Sequence, residues 1–129
     1  MPLAKTFVYA ELTQESKHKL EAAIPYKFAE HFGTHITIDW DVDFDLYKDI
    51  IGKKFKLKVG TLAGDNKIEA IRVDLIGTGL RSVNKNPHIT WSADTGVNPY
   101  YSNFMLYVAE FDQDKKFTPI EIEVEVLAG

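Results

Sequence analysis

A chain of 129 residues, 45% hydrophobic and 26% charged, reads as one globular core over residues 1–129, and no apolar run is long enough to span a bilayer. A net charge of −4 excludes a protein that grips long duplex nucleic acid by neutralising many phosphates, while leaving open a small anion held in a local pocket of donors. Without cysteine there is no disulfide framework, thiol nucleophile or cysteine-ligated zinc, and the start Met1-Pro2-Leu3-Ala4-Lys5-Thr6 lacks signal-peptide features, so a cytoplasmic protein is expected.

Thr6 to Leu12 is rich in β-formers and predicts the first strand. Thr13 offers an N-cap for a helix from Gln14 to Ile24, which Pro25 ends. Tyr26 to Phe32 fits neither period, and Gly33 marks a break. From His35 to Leu46 the chain alternates: Ile36, Ile38, Trp40, Val42, Phe44 and Leu46 on one face, His35, Thr37, Asp39, Asp41, Asp43 and Asp45 on the other. Asp45 is expected to cap a short helix through Ile51, closed by Gly52.

Lys54 to Val59 and Ile68 to Ile76 read as a hairpin around a turn at Leu62 to Asn66. Asn84 to Pro87 is a loop that leads into a strand at His88 to Ala93. Asn98-Pro99 opens either a helix through Tyr107 or a segment with a strand at Phe104 to Val108. Thr118 to Leu127 alternates strictly, with Glu121, Glu123 and Glu125 outward. The expected class is α+β with a largely antiparallel sheet system and one or two helices packed outside.

Two of the four histidines open the same tetrad, His35-Ile36-Thr37-Ile38 and His88-Ile89-Thr90-Trp91. On a strand, His and Thr two apart share a face while the apolar pair anchors the other. Two such strands side by side would present two imidazoles and two hydroxyls to one cleft. Imidazoles titrate near neutrality and can act as general base and general acid in one turnover. Hydroxyls can donate to non-bridging phosphate oxygens, where negative charge builds.

These paired tetrads resemble the signature of the two-histidine (2H) phosphoesterase superfamily, which includes RNA 2′,3′-cyclic phosphodiesterases, tRNA-ligase phosphodiesterase domains, 2′-5′ oligoadenylate phosphodiesterases and phage enzymes that destroy cyclic-oligonucleotide signals. The resemblance implies a bilobal fold with a central cleft and chemistry without metal or other cofactor. It implies His35 and His88 as the acid–base pair and Thr37 and Thr90 as phosphate donors. The segment Ser92 through Asn103 is similar to the compact bacterial and phage branch associated with RNA repair. The short interval between the tetrads implies that substrate-gripping insertions are absent. The implied partner is a small nucleotide or an RNA terminus, whether a 2′,3′-cyclic phosphate end or a cyclic (oligo)nucleotide signal, with no membrane or long duplex; oligomeric state is left open.

Other features carry less. Asp39, Asp41, Asp43 and Asp45 are read as a solvated strand end rather than a metal face, because a divalent site needs ligands from several directions. Tyr9, Tyr100 and Tyr101 are candidate base-stacking residues. Trp40 and Trp91 fall on apolar faces and are expected in the core. Arg81 and Lys85 precede the second tetrad as loop cations, and His18 and His31 are expected to be structural or surface residues.

Overall fold

The computed structural model describes residues 5–108 and 114–129; the first four residues, where leader features were sought, lie outside that range. The elements run β1 (Lys5–Leu12), α1 (Gln14–Ala23), β2 (Glu30–His31), β3 (His35–Asp43), β4 (Lys54–Gly64), β5 (Ile68–Arg72), β6 (His88–Ala93), α2 (Tyr101–Val108) and β7 (Lys115–Ala128). Among the described residues the fold is α+β, with seven strands, all pairings antiparallel, in the order β2-β6-β3-β1-β7-β4-β5. An additional β5–β6 pairing closes six of the strands into a ring.

Period-two patterning explains the ring's interior. Val8, Ala10, Ile36, Ile38, Leu57, Val59, Ile89, Trp91, Ile122, Val124 and Val126 are all buried and join one core. Across β4 and β7 the outward residues form a charge ladder, with Lys54, Lys56 and Lys58 directly opposite Glu125, Glu123 and Glu121, a favourable arrangement of opposite charges. A second apolar cluster, with Ala63, Ile68, Ala70 and Ala93 on the sheet, is covered by Met105 and Leu106 of α2.

One half, β3-β1-β7, carries α1 against β7; the other, β4-β5-β6, carries α2 against β5 and β4. On one side the halves share the long β4–β7 ladder. On the other, β3 and β6 join through a single partnered pair, Ile36 with Ile89. Beyond it β3 turns to the loop before β6, where Val83 donates to the Ile38 carbonyl and Ser82 Oγ to that of Thr37. A cleft opens at this slender join.

Thr13 caps α1 as expected, accepting from Ser16 N, and the helix stops before Pro25. The ambiguous stretch after it is pinned by side chains. Glu69, 4% exposed, accepts from Lys27 N and Ser92 Oγ, while Tyr26 stacks on Trp91 at 4.5 Å and on His31 at 3.9 Å. His18 is exposed on α1.

Two expectations need correction, and one open choice is resolved. The short helix after β3 is a single 3-10 turn at Phe44–Leu46 with no side-chain cap, followed by turns, so Asp45 does not cap it. β4 continues through Leu62–Ala63–Gly64 because the reversal is made by Asp65, whose carboxylate accepts from Lys67 N and Ile68 N. The choice after Asn98-Pro99 falls to a helix: Tyr101, Ser102 and Asn103 N–H groups bond back to the carbonyls of Asn98, Pro99 and Tyr100.

Candidate active site

Because Ile36 and Ile89 are partners facing the core, their neighbours His35, Thr37, His88 and Thr90 face the other way. Continuing that antiparallel register sets each histidine across from the other strand's threonine. All four line one cleft of about 310 Å³. β1 lies on the far side of β3 and sets Glu11 opposite His35 and Tyr9 opposite Thr37.

His88 is 7% exposed and bonded at both ring nitrogens. Nδ1 lies 2.8 Å from the Asn86 carbonyl, which can only accept, so Nδ1 carries a proton and donates. Nε2 lies 2.8 Å from Ser102 Oγ. That hydroxyl also sits 2.9 Å from Thr90 Oγ1 and 2.8 Å from the Pro99 carbonyl. It has one proton for these partners. With His88 neutral, Ser102 donates to Nε2 and accepts from Thr90. When Ser102 donates to Pro99 instead, Nε2 is released to a neighbour in the cleft, or must bring its own proton. The Pro99 carbonyl keeps the Ser102 N–H in either case.

His35 is less enclosed, with Nδ1 2.9 Å from Thr34 Oγ1 and its ring edge-on to Phe7 and Tyr9. Burial pushes the pKa of both imidazoles below the ordinary 6.5. For His35 the Glu11 carboxylate partly opposes this. For His88 the bond to the Asn86 carbonyl opposes it, while His35 and Arg72 reinforce it. Arg72 is directly opposite His88 on β5 and pairs with Asp114 at 3.0 Å.

The aromatic candidates separate. Tyr100, 63% exposed, lines the cleft, whereas Tyr9 stacks on Phe7 and stands behind the His35 ring. Tyr101 is not brought to the cleft: its hydroxyl donates to Asp65 Oδ2 and its ring packs at the edge of the cluster under α2. Trp91 is fully buried, but Trp40 is not core. Register shifts in the β1–β3 pairing and a positive φ of 49° at Asp41 break the alternation, and Trp40 swings to the cleft side, stacked on Phe7. Among the cleft residues that sequence reasoning did not assign to the site are Trp40 and Ser102. The signal for Ser102 was its spacing from Met105 and Leu106, which places a hydroxyl on the buried stripe of α2.

Asp39, the first acidic residue after the tetrad in the chain, accepts from the Tyr47 hydroxyl and Trp40 N, and among the described residues no three His, Asp or Glu side chains converge as metal ligands. Arg81 and Lys85 line a separate groove on the loop before β6. A comparison with curated proteins gives no match. The profile of the family described as the fungal tRNA ligase phosphodiesterase domain matches residues 6–128, nearly the whole chain, and the protein belongs to that family, within the 2H phosphoesterase superfamily.

Proposed function

We propose that the protein hydrolyses a 2′,3′-cyclic phosphate at an RNA end or a related cyclic (oligo)nucleotide, with His35 and His88 as the acid–base pair. The observation that carries this reading is the meeting of both His-x-Thr faces in one cleft, in a chain that belongs to a phosphodiesterase family. Water loses a proton to one imidazole as its oxygen bonds to phosphorus. The bond from phosphorus to a ribose oxygen breaks, and the other imidazole protonates that oxygen. Thr37 and Thr90 donate to the non-bridging oxygens as charge develops there.

His88 is the better base. Its proton is committed to Asn86 through Nδ1, and deep burial beside Arg72 favours the neutral ring with a lone pair on Nε2. His35, opposite Glu11, is the better acid, because that carboxylate favours the protonated ring. Turning the Ser102 proton to Pro99 frees Nε2 for water, and rotation of the Thr90 hydroxyl away from Ser102 presents its proton to phosphate.

A panel of 2′,3′-cyclic nucleotides, cyclic dinucleotides and 2′-5′ oligonucleotides, incubated in EDTA and followed chromatographically, tests the reading. Opening of the 2′,3′-cyclic phosphates in chelator is expected, since imidazoles supply both proton transfers. No turnover of any member, with or without a divalent cation, would instead favour a nucleotide-binding module that retains the cleft.

A further inference from the structure

Trp40, 42% exposed, and Tyr100, 63% exposed, form an exposed aromatic patch on the lining of the cleft. One face of the Trp40 ring is backed by Phe7, with centroids 4.7 Å apart and planes 20° from parallel, and Phe7 rests in turn on Tyr9 at 5.2 Å. This stack leaves the other face of the indole uncovered by Phe7. Tyr100 stands across from it at 6.0 Å and 62°, itself largely exposed. Both rings line the cleft that holds the two tetrads. A stacked, partly exposed aromatic in the same cleft as two imidazoles and two hydroxyls is what a nucleotide needs on its base side, because every base has a π-face to lay down.

We propose that Trp40 is the platform for the nucleobase of the nucleotide whose phosphate lies between His35 and His88, with Tyr100 as the wall beside it. The substrate class narrows accordingly. The protein discriminates a nucleoside cyclic phosphate from a cyclic phosphate that has no base. This rests on the phosphodiesterase reading for its turnover test but not for its binding test.

The turnover test compares kcat/KM for adenosine 2′,3′-cyclic phosphate with that for glycerol cyclic phosphate, which keeps the strained ring and lacks the base. Trp40→Ala is expected to lower the ratio of the two by about 10–100-fold, and Trp40→Phe to recover most of it. In the binding test, the second indole, Trp91, is buried in the core, so a ligand-induced change in emission reports Trp40. Adenosine 3′-monophosphate should quench the wild-type emission and inorganic phosphate should not. An unchanged ratio in both variants overturns the platform and leaves the activity standing. Should the wild type open neither cyclic phosphate, the reading of the activity fails, and the titration decides the platform alone. Quenching by the nucleotide only would then support it; no quenching, or equal quenching by phosphate, would overturn it.

Discussion

His88 and His35 differ in what surrounds them more than in where they sit. Both are pushed towards the neutral form by burial, and a working pair needs one neutral and one protonated ring. Lowering both pKa values moves the singly protonated pair to more acidic pH. The bell-shaped profile of kcat/KM, which reflects the free enzyme, should therefore peak below the ordinary imidazole value of 6.5. Its two apparent pKa values belong to the pair. Glu11→Gln removes the charge that favours protonated His35, so the alkaline limb should shift further towards acid. A peak above neutrality would contradict the lowering of both pKa values, and a limb that moves the other way would contradict the assignment of His35 as the acid.

At the scale of elements, the two tetrads are held in place by Gly33. Its N–H bonds to the Thr90 carbonyl at 2.8 Å, so the residue two before His35 is tied to the second tetrad. Its φ is +83°, and an added Cβ would lie 2.5 Å from Cζ3 of Trp91, a fully buried ring. Gly33→Ala combines left-handed strain with overpacking and should cost about 2–4 kcal/mol of stability, read from the midpoint of a urea melt. An unchanged midpoint would mean that Trp91 can yield. The tetrads themselves were legible because period two survives through both of them: Ile36, Ile38, Ile89 and Trp91 are all buried. Trp40 was not, because the alternation breaks on both sides of it, at the register shift between Thr37 and Asp39 and at the positive φ of Asp41, and the residues there give no notice of either. The α2 segment was balanced between helix and strand, and only the helix brings Ser102 to His88.

At the scale of the molecule, the local alternations specified the strands but not their neighbours. β7, last in sequence, lies between β1 and β4, and its end returns to Phe7, which exchanges backbone bonds with Gly129. The β5–β6 pairing that closes the ring spans the whole loop of residues 73–87. Such long-range pairings depend on how complete faces bury together, which a window of sequence does not contain. The closed ring leaves its cleft where β3 and β6 barely pair, with one imidazole on each side. The central claim is that these two rings make separate proton transfers. Its most direct test is the turnover of His35→Ala, His88→Ala and the double variant on adenosine 2′,3′-cyclic phosphate, with folding checked for each. Either single change should lower kcat by about 10²–10⁴-fold, and the double should be little worse than the more damaged single. A folded His88→Ala protein that keeps near-normal turnover would contradict the account.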